Sequence, residues 1–244
     1  RQILYGTSFN AAFIPFYKKL EIKKDKNESK NFAISLISFS FLLFSSIVTI
    51  LLIFMNEIIL YIDFDFINSQ NDLIFSVNLA RTILPYLLIL IVGSTLIGIC
   101  YSNKQFIIPT ILSGVINISI IFAILFNFLF GNIENLDSLF QQICIAILIG
   151  GLFELTIIFW VVRKVITISD LLKSIVSINK NFKFKIIKEF LLKLLPSISF
   201  ETMHQSMRIF TLFLASFTAS GVSAFYYANI IAVLPLSIFA ITLS

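Results

Sequence analysis

The sequence predicts an all-α, polytopic membrane protein built as a bundle of hydrophobic helices. Three observations carry that expectation. Hydrophobic residues make up 58% of the 244-residue chain and charged residues 13%, with a mean hydropathy of +0.99. Soluble domains average about 45–50% apolar and ~25% charged residues, so this composition suits lipid as the solvent. The apolar residues gather in charge-free runs of the ~20 residues a spanning helix needs at about 1.5 Å each. The remaining charges lie between those runs, with their signs segregated.

Taken in order, residues 1–17 read as the tail of an earlier helix. The first complete span, FAISLISFSFLLFSSIVTILLIF, sits within the charge-free stretch from Asn31 to Asn56. A second runs from Thr82 to Asn103, a third from Phe106 to Phe130 and a fourth from Leu139 to Val162. The fifth extends from Phe190 to Phe217. Thr218-Ala219-Ser220-Gly221 then makes a tight turn, and a sixth span follows from Val222. Serine, threonine and glycine recur in these runs, as close helix packing in lipid requires, and Gly150-Gly151 reads as one such packing point. Pro15, Pro85, Pro109, Pro196 and Pro235 lie in or at the ends of spans, where proline bends a helix. The opening RQILYG lacks a methionine and a basic leader, and the chain stops at Thr242-Leu243-Ser244 without a polar tail. The expectation is a segment of a longer protein.

Charge placement orients the bundle. Six lysines lie in KKLEIKKDKNESK (residues 18–30), Lys104 stands alone, and eight Lys/Arg fall between Arg163 and Lys193. The alternate loops hold acids: Glu57, Asp63, Asp65 and Asp72, then Glu134 and Asp137. By the positive-inside rule the basic loops are cytoplasmic. That accounts for the net charge of +5 without a nucleic-acid partner. Arg81, opening the second span at the outer side, reads as a side chain that snorkels to the interface. Residues 165–190 alternate apolar and basic side chains and read as an interfacial amphipathic helix on the anionic inner leaflet.

Soluble enzyme chemistry finds no motif here: no phosphate-cradling glycine loop, nucleophile elbow or metal signature. Cys100 and Cys144 fall in apolar runs and read as small buried hydrophobes, with neither disulfide nor ligand spacing. No cofactor is implied. His204 has no Cys, His or second acid at ligand spacing, so no metal is expected.

Polar groups inside the spans are the functional candidates, because a charge in the bilayer costs roughly 2.5–3.5 kcal/mol on insertion scales. Glu201, His204, Gln205 and Arg208 stand at i, i+3, i+4 and i+7, on one helix face. That face reads as the lining of a polar translocation path in which Arg208 attracts an anion. The other reading is a hydrogen-bonded cluster that fixes helix packing. Glu154, two-thirds along the fourth span, is expected to face protein rather than lipid.

Several stretches, read together, resemble one family. RQILYGTSFNAAFIPFYKKL, through Arg1, Phe9, Ala12, Phe13 and Pro15, is similar to the second-helix signature of the murein lipid II flippases, the MurJ/MviN family of the MOP exporter superfamily. Arg81, Pro85-Tyr86, Ser94, Gly98, Phe106, Pro109 and Asn117-Ile118-Ser119 resemble its fourth and fifth helices, and GGLFEL (150–155) its sixth. Gln205, Ala215-Ser216-Phe217, Gly221 and Tyr226-Tyr227-Ala228 with Pro235 resemble the seventh and eighth.

The resemblance implies a MOP-type two-lobe flippase fold, of which this chain covers about helices 2–8. Residues 1–164 would belong to the N-lobe, 165–189 to a cytoplasmic amphipathic linker and 190–244 to the start of the C-lobe. It implies a multi-pass protein of the bacterial cytoplasmic membrane that is a transporter and not an enzyme. Its partners would be a lipid-linked peptidoglycan precursor, carried by alternating access, and membrane lipids, with the protein monomeric. It implies a cationic cavity for a pyrophosphate, matched by arginine's planar fork. Arg1 stands at the family's cavity arginine. Departures are clear: Asn229 and Ile230 replace an Asp-Arg pair, Gly6 stands at a glutamate position and Thr211 at an acid of helix seven. Asn229 is then a wall position stripped of charge, for which Arg208 on the adjacent helix compensates. Two alternatives stand beside the flippase: another MOP-type exporter, and a transport-inactive membrane homologue.

Overall fold

A computed structural model of the chain describes residues 7–23, 25–62, 70–112, 114–130, 136–167, 169–170, 184–217, 221 and 223–232. The chain divides into two units, residues 1–194 and 195–244. Nine helices bear labels in this account: α1 (Thr7–Lys23), α2 (Lys26–Ile53), α3 (Met55–Ile62), α4 (Gln70–Ile83), α5 (Tyr86–Ser102), α6 (Ile107–Leu112), α7 (Val115–Phe130), α8 (Leu136–Val162) and α9 (Phe184–Ser216). Residues 223–232 are also helical, and no strand occurs among the described residues.

Helix boundaries follow from local chemistry. α2 begins at Lys26 because the Asp25 carboxylate accepts the Lys26 backbone N–H at 2.6 Å, a polar N-cap just outside the apolar run. Pro85 has no N–H to donate, and it sits at the join where α4 ends and α5 starts. α5 closes with a Schellman arrangement: Lys104 N–H bonds the Tyr101 carbonyl at 3.0 Å and Gln105 N–H the Cys100 carbonyl at 2.9 Å. Lys104 takes φ 61°, a left-handed conformation usually left to glycine.

Among the described residues, four helical segments are long and apolar enough to cross a membrane: Lys26–Ile53, Gln70–Ser102, Ile107–Leu129 and Asp137–Val162. They correspond to the first four spans read from the sequence, with one correction, to the second. The first helix begins at Lys26, ahead of the charge-free stretch from Asn31 that holds the span, where its cap sets it. The second begins at Gln70 rather than Thr82, so Arg81 does not open it but lies in the last turn of α4, exposed. The 33 residues of this segment would rise about 50 Å if α4 and α5 ran straight on through Pro85, more than the ~30 Å hydrocarbon layer. The fifth span also starts earlier, at Phe184 instead of Phe190. It is long but falls outside the four apolar segments, because SISFETMHQSMR interrupts its greasy run. The turn at 218–220 and Pro235 lie outside the described residues, as does most of the amphipathic stretch, 171–183.

Within residues 1–194, α5 is the central helix. Over half (56%) of its most apolar stretch is buried, against 22%, 18% and 28% for the other three segments, which leave wide apolar faces for lipid. α5 packs on α1, α2 and α8, while α7 packs on α8. Small residues permit these approaches. A Cβ on Gly98 would lie 2.5 Å from the Phe13 ring, one on Gly150 2.5 Å from Ser119 Oγ, and one on Gly151 2.7 Å from the Tyr86 ring. Gly150-Gly151 is therefore a close-packing point, as read. Buried hydroxyls bond back to their own helix, Ser38 to the Ile34 carbonyl (3.0 Å), Ser94 to Ile91 (2.8 Å) and Ser102 to Gly98 (2.8 Å). That lets them sit in apolar surroundings without an unmet donor. Cys100 is buried as expected, whereas Cys144 is only half-buried.

An aromatic cluster ties the start of α9 into the same unit. Phe190 lies 5.4 Å from Phe32, 5.5 Å from Phe16 and 6.2 Å from Phe13, measured between ring centroids. Such pairs contribute about 0.5–1.5 kcal/mol each beyond burial. Phe9 and Phe13, which carry the family resemblance, stack at 5.5 Å and thus serve this scaffold.

Candidate functional site

α9 holds most of the candidate translocation residues. Leucine, isoleucine and phenylalanine keep it helical on either side of the polar stretch, and it contains Pro196. Glu201 and Gln205 lie one turn apart and half-buried, and Gln205 Nε2 donates to Glu201 Oε1 at 3.4 Å. Arg208, two turns beyond Glu201, is exposed. The Thr211 hydroxyl donates to the Met207 carbonyl at 2.8 Å, so its polarity turns back onto its own helix.

Asn229 belongs to a different helical stretch from α9. Asn229 is half-buried on the helical stretch 223–232, near exposed Tyr226 and Tyr227, whose rings meet edge-on at 6.0 Å. Arg1 lies outside the described residues, and so does the side chain of His204, whose backbone belongs to α9. The structure thus brings Glu201 and Gln205 together on residues 195–217. Among the described residues no three His, Cys, Asp or Glu side chains converge as metal ligands would.

Glu154 is the other intramembrane acid. It is 1% exposed, on the same stretch of α8 as Gly150 and Gly151. It faces protein, as the sequence suggested, and its burial makes it part of the packed interior rather than of an open path.

The basic ends of the helices gather at one end of residues 1–194, where charges pair across segments far apart in sequence. Lys30 Nζ lies 2.8 Å from Asp170 Oδ2, and the same oxygen accepts from Thr167 N at 3.1 Å and Thr167 Oγ1 at 2.7 Å. The Lys30 hydrogen bond, then those from Thr167, hold the Asp170 carboxyl down at about 2. Lys193 sits 5.0 Å above the Phe16 ring and 3.4 Å from Glu189. Arg163 lies 4.7 Å over Trp160, an aromatic–cation pair suited to a membrane interface. At the acidic end, Asn127 Nδ2 donates to Gln142 Oε1 at 3.0 Å and joins α7 to α8. The Lys30–Asp170, Lys193–Phe16 and Asn127–Gln142 contacts are not legible in the sequence, because spacing along one chain carries no signal for partners on different segments.

Comparison with known proteins agrees with the resemblance. Three relatives, each named "Probable lipid II flippase MurJ", align along the whole chain. The protein of Buchnera aphidicola subsp. Schizaphis graminum (strain Sg) is 29% identical over 245 residues, covering 100% of this chain and 45% of the relative. That of Buchnera aphidicola subsp. Acyrthosiphon pisum (strain APS) is 32% identical over 255 residues, covering 100% and 46%. The Aquifex aeolicus (strain VF5) protein is 29% identical over 248 residues, covering 100% and 45%. The chain spans less than half the length of these relatives. No solved structure matches. The family described as lipid II flippase MurJ matches residues 1–244, and on that match the chain belongs to the MurJ family.

Proposed function

We propose that the full-length protein flips a lipid-linked peptidoglycan precursor, lipid II, across the bacterial cytoplasmic membrane by alternating access, as a monomer and without a chemical step. The family match along residues 1–244 is the observation that carries this reading. Residues 1–164 act in the N-lobe, 165–189 as the cytoplasmic linker and 190–244 as the start of the C-lobe. Arg1, Glu201, His204, Gln205, Arg208 and Asn229 line the path of the anionic headgroup. Arg208 stands within α9, in the run read as the fifth span, away from the charged loops. A guanidinium within a span costs a few kcal/mol unless it meets water or an anion, which a hydrated path supplies.

Complementation tests the reading. The full-length protein, expressed in a bacterium depleted of its own flippase, restores growth and lipid II translocation. Arg208→Ala lowers that rescue at least about tenfold, the loss of one charge-assisted contact. Unimpaired rescue by Arg208→Ala removes the role given to Arg208. No rescue by the unaltered protein, although it reaches the membrane, favours a transport-inactive homologue, a reading to which the missing Asp-Arg pair at Asn229 and Ile230 gives independent weight.

A further inference from the structure

A cavity of about 400 Å³ opens at the basic end of residues 1–194, outside the path proposed for lipid II. Its wall comes from four segments: Tyr17 and Glu21 of α1, Lys26 and Lys30 of α2, Asn103 after α5 and Lys164 after α8. The volume falls within the range of ligand pockets. Its charges do not cancel. The Glu21 carboxylate is taken by Lys18 at 2.6 Å, and Lys30 is matched by Asp170 at 2.8 Å. Lys26 and Lys164 have no carboxylate within ion-pair distance among the described residues, so two ammonium groups on the wall are left over.

The position of Lys26 is unfavourable for the helix alone. It stands in the first turn of α2, where the dipole is positive and disfavours a cation, a penalty that the Asp25 cap and Glu28 in the same turn offset in part. Lys30 follows at i+4, a spacing at which like charges repel. An anion in the cavity reverses both penalties. Asn27 and Asn103 add neutral amide donors to the same wall.

We propose that this cavity is a binding site for a phosphate ester, held by Lys26 and Lys164. Lysine serves phosphate as a compact charge with three donors, and two lysines converging on one oxyanion form the charge-assisted bonds that phosphate favours. The Arg163–Trp160 pair, adjoining Lys164, marks the headgroup level of the bilayer, where the phosphates of inner-leaflet lipids reside. The ester is therefore a phospholipid headgroup or a soluble phosphate from the cytoplasm, and the chemistry of recognition is shared.

Purified full-length protein distinguishes them. In nanodiscs of phosphatidylcholine doped with phosphatidylglycerol, native mass spectrometry counts the retained anionic lipid, while a thermal shift reads glycerol-1-phosphate binding in detergent. Lys26→Gln with Lys164→Gln is expected to weaken binding about tenfold or more, as the loss of charged hydrogen bonds predicts. Lys26→Arg with Lys164→Arg retains it and shows that the fold tolerates change there. Lys23→Gln with Lys188→Gln, exposed lysines outside the cavity, leaves it unchanged. Loss confined to phosphatidylglycerol assigns the lipid, and loss confined to glycerol-1-phosphate assigns the soluble ester. Equal binding of both probes by the wild type and the Lys26/Lys164 glutamine variant overturns the proposal, as does an equal loss in the Lys23/Lys188 control.

Discussion

At Gly98 one hydrogen atom decides whether two helices can touch. A methyl group there would meet the Phe13 ring at 2.5 Å, inside a cluster whose rings are already packed on several sides. Gly98→Ala is expected to destabilise the full-length protein by about 1–3 kcal/mol, the usual cost of overpacking. A lower midpoint of thermal unfolding in detergent would show it, and an unchanged midpoint would mean that α1 can move away freely. Asp170 offers a second test at this scale. Its carboxyl is lowered to about 2 from an ordinary value near 3.8. Its stabilising contribution is therefore fully present above about pH 4 and is lost as pH falls toward 2. Because both partners are partly exposed, the pair contributes no more than about 1 kcal/mol. Asp170→Asn should flatten that part of the stability–pH curve. If the variant and the wild type fall in parallel between pH 4 and 2, the Lys30 contact has no such effect.

Between elements, the α7–α8 pair combines two devices. Gly150 brings the helices close at Ser119, and the Asn127–Gln142 bond joins them toward the acidic end. Asn127 is buried, so removing its partner leaves an amide with fewer choices in lipid than in water. A double-mutant cycle with Asn127→Ala and Gln142→Ala should give a coupling energy of about 0.6 kcal/mol and at most about 1.7 kcal/mol, the average and the maximum measured for hydrogen bonds between membrane helices. Additive single effects would show that the 3.0 Å contact adds nothing beyond packing. Element boundaries taught a related lesson. Pro85 and the capping Asp25 are readable in sequence, yet α4 continues back to Gln70 through QNDLIFSVNLAR, which hydropathy alone places in a loop. Backbone hydrogen bonds within a helix do not require apolar side chains, so helix length and membrane span need not coincide.

For the molecule as a whole, family membership and four membrane-length helices place the chain in the bacterial cytoplasmic membrane. The gathering of Lys26, Lys30, Asn103 and Lys164 around one cavity fits a single cytoplasmic end, as the segregated charges require. Orientation is open to direct measurement in intact cells, using full-length protein with every native cysteine, Cys100 and Cys144 included, replaced by alanine. A cysteine at Ser138 should react with a membrane-impermeant maleimide from outside, and one at Asn103 only after the membrane is broken. The reverse pattern would overturn the topology.

The sequence by itself determined the helical membrane class, the first four apolar spans to within their ends, and the family, because each depends on the solvent preference of residues close together in the chain. A run of leucine and isoleucine needs lipid wherever it folds, and lysine stays on the side where the membrane potential and inner leaflet favour it. The shared face of Glu201 and Gln205 was legible for the same local reason, through helical periodicity. Only the tertiary structure decided that Phe190 would join Phe13, Phe16 and Phe32, that Lys30 would meet Asp170, and that Lys26 and Lys164 would face one cavity. Such partners are separated by up to 177 residues (190 − 13) and are selected by which helices lie side by side, which no spacing rule along the chain encodes.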